Sequence, residues 1–70
     1  MSQDLRARLA TNVKILREKA RLKREELALL LRFDNSYISK LEKSKVNITL
    51  DKIAKIANFF EVDIIDLFNN

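Results

Sequence analysis

The sequence predicts an all-α fold of five short helices around one core. Apolar residues recur at intervals of three and four, polar residues that can cap a helix precede several of these stretches, and no long segment alternates with period two. A chain of 70 residues is the length of one small domain. We therefore expect residues 1–70 to form a single domain.

The first helix is predicted from an apolar stripe near the start of the chain. Its members, separated by four, four, three and four residues, are Leu5, Leu9, Val13, Leu16 and Ala20. This spacing places all five side chains on one face of an α-helix. That face is expected to lie against the core.

Two sequence signals disagree about the boundary between the first two helices. Residues 20–28 are all good helix formers, so propensity alone favours one rod that ends near Leu31. Such a rod would need a partner, as in a helical hairpin or a coiled coil. The apolar stripe of the second helix, formed by Leu27, Leu30 and Leu31, does not continue the first stripe and favours a break near Arg21 and Leu22.

Candidate caps mark the remaining helices. Asp34 can cap the third helix and Thr49 the fourth, and Asp63 with Asp66 resembles a capping box for a short fifth helix. The expected core residues are Ile38 and Leu41 in the third helix, and Leu50, Ile53, Ile56, Ala57 and Phe60 in the fourth.

The composition makes several classes of site improbable. The chain has no Cys and no His, so the common ligands of zinc and copper are missing, as are Ser-His and Cys-His nucleophile pairs. We expect a protein that is not an enzyme and uses no metal or other cofactor. The start has no apolar stretch behind a basic tip, and the longest purely apolar run is 27–31. A soluble, cytoplasmic protein without a membrane partner is therefore expected.

Basic residues are concentrated in the first part of the chain. Residues 1–45 contain twelve Lys and Arg against six Asp and Glu, whereas residues 46–70 contain two against four. The whole chain carries a formal charge of +4. A polyanion such as nucleic acid is the first partner to consider, although exposed helices also commonly carry such charges.

Most of the chain has the pattern of one known family. The stretches that carry the resemblance are 16–19, 25–28, 34–43, 47–51, 53–57 and 66–68. From Leu9 to Phe68 the sequence resembles the phage-repressor, or XRE, family, whose fold is that of the lambda-repressor DNA-binding domain. The pattern of Asp34, Tyr37, Ile38 and Ser39 resembles restriction-modification controller proteins in particular. Phage repressors and antitoxin-type regulators share enough of it to remain alternatives.

The resemblance implies a helix-turn-helix unit in the second and third helices, with the third helix in the major groove of DNA. It implies a sequence-specific transcriptional regulator, either a repressor or an activator, that binds a palindromic operator as a homodimer. Double-stranded DNA and a second copy are then the partners, and no small-molecule ligand is expected. An antitoxin or protein-interaction module, or a bare scaffold with a simplified face, is the alternative.

Helical geometry gives a candidate base-reading face. If Ile38 and Leu41 are buried, a rotation of about 100° per residue places a polar or cationic, non-acidic set opposite them. This set is Asn35, Ser36, Ser39, Lys40 and Lys43. Asn35 could pair with adenine and Lys40 with guanine, whereas the two serines could bind bases or phosphates. An ordinary solvated helix surface is the alternative.

Other residues are candidates for contacts with the DNA backbone. Arg24 stands at the start of the second helix, where N–H groups and the helix dipole favour a phosphate. Lys43 and Lys45, at and beyond the end of the third helix, are expected to bind phosphates as well. The ring of Tyr37 is expected at the core edge with its hydroxyl outward, as either a structural residue or a phosphate contact.

Two charged residues are assigned to the scaffold. The positions of Arg17 and Glu42 match a family ion pair between the first helix and the end of the third. If the pair is partly buried, removal of one partner should cost about 3–5 kcal/mol, because the other charge is stranded.

Three apolar residues are candidates for a dimer interface. Phe59, Ile65 and Ile15 lie off the inward stripes of their helices. Exposed aromatic and β-branched residues near the C-terminus favour a two-fold contact built from the fourth and fifth helices. Scattered surface hydrophobic residues are the alternative.

The chain departs from the family where turns are expected. The family usually has glycine at the positions of Arg21, Arg32, Ser44 and Glu61, and proline at that of Ile48. Each glycine position follows a helix, where a left-handed residue commonly ends it. Either four residues that are not glycine adopt the left-handed conformation, or the turns have been rebuilt.

Overall fold

A computed structural model describes residues 2–69 and confirms the all-α fold. The elements are α1 (Ser2–Lys19), α2 (Arg24–Leu31), α3 (Tyr37–Glu42), α4 (Leu50–Phe60) and a 3₁₀ helix, η1 (Ile64–Phe68). No β-strand occurs within these residues. Within the same residues, no helix combines the length and the apolar character needed to cross a membrane.

A turn separates α1 from α2, so the single-rod alternative is wrong. Arg21 adopts φ 59°, a left-handed conformation that no helix continues through. The N–H of Leu22 donates to the carbonyl of Arg17 at 3.1 Å. Because the chain reverses here, α2 packs against α3 and α4, and α1 packs against α3 and η1.

Left-handed residues end all four α-helices. After α2, the N–H of Arg32 donates to the carbonyl of Leu29 at 3.0 Å, and the N–H of Phe33 to that of Ala28 at 2.8 Å. This pair of bonds is the Schellman motif, and the same pair follows the other three helices. The residues with φ between 57° and 61° are Arg21, Arg32, Ser44 and Glu61. The glycine positions of the family therefore keep their backbone conformation here without glycine, and the rebuilt-turn alternative is wrong.

All five helices contribute to one core. Its buried members are Leu9, Val13, Leu27, Ala28, Leu31, Ile38, Leu41, Ile53, Ile56, Ala57 and Leu67. Burial of these side chains provides the main stabilisation, because apolar surface removed from water contributes about 25 cal/mol per Å².

Four expected core residues lie outside it. Leu30 is 55% exposed, because Leu27, Ala28 and Leu31 define the buried sector of α2 and Leu30 falls beside it. Leu50 is 77% exposed at the first position of α4. Leu5 and Ala20 are exposed toward the two ends of the α1 stripe. Periodicity identified the stripes but extended them too far.

The caps agree with expectation in two of three helices. Thr49 Oγ1 accepts a hydrogen bond from the N–H of Lys52 at 3.2 Å, as expected of a cap. At η1, Asp66 Oδ2 accepts from the N–H of Asp63 at 3.1 Å, the backward bond of a capping box. The assignment of Asp34 as a cap is wrong, because α3 begins at Tyr37.

Candidate nucleic-acid interface

The face of α3 opposite the core is open to solvent. Ile38 and Leu41 are buried on one side of the helix. The residues predicted on the other side are exposed at Asn35, Ser36, Lys40 and Lys43 and half-buried at Ser39. Asn35 and Ser36 lie in the turn before α3 rather than in the helix. This open surface, formed by the turn and the outer side of α3, is called the α3 face below.

Ser36 has a hydrogen-bond partner that the sequence did not reveal. Its hydroxyl donates to Asp34 Oδ2 at 2.9 Å. A serine hydroxyl has one proton, so in this arrangement Oγ can only accept another hydrogen bond. The amino groups of adenine and cytosine can donate to such an oxygen, whereas a phosphate without a proton cannot.

An ion pair joins α1 to the end of α3. Arg17 Nε donates to Glu42 Oε2 at 2.6 Å, and Arg17 Nη2 donates to Oε1 at 3.2 Å. Arg17 Nη1 also donates to the carbonyl of Leu22 at 2.8 Å. The hydrogen bonds to Glu42 raise the pKa of Arg17, and burial acts in the opposite direction. The predicted partners are therefore in direct, bidentate contact.

Arg24 binds the same carboxylate. Its Nε donates to Glu42 Oε1 at 3.1 Å, and the Glu42 side chain is only 4% exposed. The side chain of Arg24 is about half exposed at the first residue of α2. Because Nε is the bonded atom, the N–H groups of the two terminal nitrogens are not used in this contact and can donate to an anion. Sequence reasoning found Arg24 and Glu42 separately but not the contact between them.

Two further cations follow α3. Lys43 is the C-cap residue of α3, and Lys45 follows the left-handed Ser44. Both lysines are exposed. The N–H of Lys45 donates to the carbonyl of Lys40 at 2.9 Å, which fixes the backbone of this turn. The lysines therefore extend the positive charge of the α3 face past the end of the helix.

The outward hydroxyl predicted for Tyr37 is wrong. The phenolic oxygen is buried and has no hydrogen-bond partner among residues 2–69. The ring packs edge to face against Phe33, with the centroids 5.1 Å apart. Burial raises the pKa of Tyr37 above its ordinary value. In this conformation the hydroxyl offers nothing to a phosphate.

Two lysines of α4 contact these aromatic rings, and the sequence analysis missed them. Lys52 Nζ lies 4.4 Å from the ring centroid of Tyr37 and 5.5 Å from that of Phe33. Lys55 Nζ lies 5.7 Å from the centroid of Phe33 and donates to the carbonyl of Leu31 at 3.0 Å. They are the only two cations of residues 46–70, and their spacing of three places them on one side of a helix. This spacing of three was the sequence feature from which the pair could have been predicted.

The residues predicted for a dimer interface are all exposed. Ile65 is 69%, Ile15 43% and Phe59 38% exposed. Asn12 Nδ2 donates to the carbonyl of Leu67 at 2.8 Å and so joins η1 to α1, the helix that carries Ile15. Because η1 packs against both α1 and α4, the three residues belong to neighbouring elements.

Comparisons with known proteins agree on one family. The model of the helix-turn-helix family matches residues 13–67. A hypothetical transcription factor of Neisseria meningitidis serogroup B is 42% identical over 55 residues, which cover 79% of this chain and 52% of that protein. The chain thus spans about half the length of this curated relative.

The fold agrees with a solved structure as well. The crystal structure of the hypothetical transcription factor NHTF from Neisseria superposes with a TM-score of 0.89 at 36% sequence identity. The match covers 99% of this chain and 79% of that one. The arrangement of α1 to η1 is therefore shared with an experimental structure.

Proposed function

Because the chain belongs to the helix-turn-helix family, we propose that it is a sequence-specific DNA-binding transcriptional regulator without enzymatic activity. One observation carries the proposal: the α3 face is open to solvent and combines short polar side chains with lysines. Base edges in the major groove and the flanking phosphates favour such a surface. The name hypothetical transcription factor, given to the Neisseria protein in both comparisons, supports the same function.

The α3 face divides into groups with different roles. Asn35 can form two hydrogen bonds with adenine, and Lys40 can donate to O6 or N7 of guanine. Ser36, whose proton is held by Asp34, accepts from a base amino group. Ser39 is half-buried and reaches only a base or phosphate close to the helix. Specificity therefore depends mainly on the turn before α3 and on Lys40.

Arg24, Lys43 and Lys45 bind the DNA backbone in this proposal. Arg24 combines its guanidinium with the N-terminus of α2, where the helix dipole favours an anion. Arg24 is bonded to Glu42, the last residue of α3, so it lies near the same end of α3 as the two lysines. Contacts of this kind position the protein but do not select a sequence. Tyr37, a candidate phosphate contact in the sequence, is not included because its hydroxyl is buried.

The regulator binds as a homodimer in this proposal. One short helix contacts only a few base pairs, and a two-fold dimer doubles the contacted sequence. Exposed Phe59, Ile65 and Ile15 offer an apolar surface for the contact. The operator is then palindromic, with half-sites separated by about 34 Å or a multiple of that distance.

Selection of binding sites from random DNA duplexes tests the function directly. We expect a palindromic consensus to be enriched. A dimer that contacts about 6–10 phosphates should lose roughly 10³–10⁵ in affinity between 50 and 200 mM salt. An unselected duplex of the same length serves as the control and should bind more weakly at every salt concentration. Enrichment of no sequence would contradict the proposal and favour an antitoxin or protein-interaction module.

A further inference from the structure

Two lysine side chains of α4 contact the two ends of the turn between α2 and α3. At the start of the turn, Lys55 Nζ donates to the carbonyl of Leu31, the last residue of α2. At its end, Lys52 Nζ lies 4.4 Å from the ring centroid of Tyr37, the first residue of α3. Both ends of the turn therefore contact one pair of lysines.

The same turn carries the residues best suited to read bases. Asn35 and Ser36 both precede α3: Ser36 is its N-cap, whose carbonyl accepts the first helical hydrogen bond from the N–H of Lys40, and Asn35 lies before that bond. The rings of Phe33 and Tyr37 stand on either side of them in the sequence and pack against each other at 5.1 Å. A change in the packing of these rings would therefore move Asn35.

Lys52 is placed to hold the rings rather than to bind DNA. Its side chain is half-buried, and its ammonium group lies within 6 Å of both ring centroids. A cation over the face of an aromatic ring is attracted by the negative charge of that face, and more strongly where water is excluded. A neutral side chain of similar length would pack against the rings but lose this attraction.

We propose that Lys52 is a positioning residue for base recognition: it holds Phe33 and Tyr37 in the packing that directs Asn35 toward the major groove. Lys55 supports it through the bond to α2. This inference rests on the proposed DNA-binding function. It assigns a role in specificity to α4, a helix outside the helix-turn-helix unit.

The test compares Lys52→Met with Lys14→Met, an exposed position on α1 that gives the same loss of one charge. Affinities are measured for the selected operator and for an unrelated duplex. We expect Lys52→Met to weaken operator binding about five- to tenfold beyond the control and to leave binding of the unrelated duplex equal to the control. The base preference at the position read by Asn35 should relax, and Lys52→Arg should restore it.

Two results would overturn the inference. If Lys52→Met weakens both duplexes alike and reduces the salt dependence by about one phosphate, Lys52 is a backbone contact. If the variant equals the Lys14→Met control on both duplexes, the aromatic contact has no role in recognition. Thermal melting checks that each variant is folded. If Lys52→Met is unfolded, Lys55→Met provides the second variant, with a smaller loss in the same direction expected.

Amide hydrogen exchange separates this inference from the proposed function. Lys52→Met should speed exchange at residues 33–37 in the free protein, whereas Lys14→Met should not. If the wild-type protein selects no DNA sequence but this exchange difference is present, the proposed function is wrong. The stabilisation of the turn by Lys52 is then still supported. Unchanged exchange contradicts the inference whatever the DNA result.

Discussion

Tyr37, the first residue of α3, packs against the core next to the α3 face. Its ring packs against Phe33 and under Lys52, but its buried hydroxyl has no partner among residues 2–69. A buried polar group without a hydrogen bond costs about 1–3 kcal/mol. Tyr37 therefore contributes to the fold through its ring, and its hydroxyl lowers stability.

We expect Tyr37→Phe to raise the free energy of unfolding by about 1 kcal/mol and to leave operator affinity unchanged. Chemical denaturation and a DNA titration measure the two effects. A variant of unchanged stability that binds DNA more weakly would show that the hydroxyl turns outward and contacts a phosphate.

The pH dependence of the same residue follows from its burial. Burial raises the pKa of Tyr37 in the folded state, so the folded protein keeps its proton at a pH where the unfolded chain has lost it. The resulting stability is complete below the ordinary tyrosine pKa of about 10 and is lost as the pH rises through the folded value. The chain has one Tyr and no Trp, so ultraviolet absorbance of the phenolate reports this residue alone. Ionisation at or below the ordinary pKa would contradict the burial.

Sequence reasoning at this scale succeeded where helical geometry decides and failed where distant elements meet. The outward direction of Lys40 and Lys43 followed from the burial of Ile38 and Leu41 alone. The contact of Arg24 with Glu42 joins residues 18 positions apart and depends on how α2 crosses the end of α3. Local periodicity carries no information about that crossing.

The helix ends show how an element can keep its geometry without its usual residue. Four Schellman motifs place non-glycine residues in the left-handed conformation. A side chain with a Cβ atom destabilises this conformation by about 1 kcal/mol relative to glycine. Three of the four motifs are supported by packing, because Leu22, Phe33 and Val62, which follow Arg21, Arg32 and Glu61, contact the core.

We expect Arg32→Gly and Glu61→Gly each to stabilise the protein by about 0.5–1 kcal/mol, since the strain is relieved at a compatible position. For a domain of this size, 1 kcal/mol shifts the melting temperature by roughly 4–8 °C. Lys14→Gly inside α1 is the control and should lower the midpoint. Unchanged or lower midpoints for both variants would contradict the left-handed assignment.

Element boundaries were predictable where a side chain marks them and not elsewhere. Thr49 caps α4 as expected because its hydroxyl reaches the N–H of Lys52. Asp34 has the same chemical capacity but accepts a hydrogen bond from Ser36 instead, and α3 starts at Tyr37, two residues later than a cap at Asp34 predicts. The sequence pattern alone does not show which of several local partners a capping side chain binds.

The residues proposed to bind DNA and the C-terminal residues proposed for the dimer lie in different parts of the sequence. The cations proposed to bind DNA all lie within residues 24–45, whereas residues 46–70 carry a net negative charge. Phe59 and Ile65 are exposed in this acidic part of the sequence, outside the stretch that carries the residues proposed to bind phosphate. A dimer contact there would leave both α3 faces free for DNA.

We expect the protein to sediment as a dimer at tens of micromolar, and Ile65→Lys to convert it to a folded monomer of about 8 kDa, because a charge is then buried in an apolar contact. Leu29→Lys, at an exposed apolar position on α2, is the matched control and should leave the dimer intact. A monomeric wild-type protein at that concentration would contradict the dimer.

The most direct test of DNA recognition by the α3 face is to repeat the selection of binding sites with Asn35→Ala and Lys43→Ala. We expect Asn35→Ala to lose the base preference at one position of each half-site. Lys43→Ala should keep the consensus and weaken all duplexes alike. An unchanged consensus and affinity in both variants would show that DNA is bound by another surface.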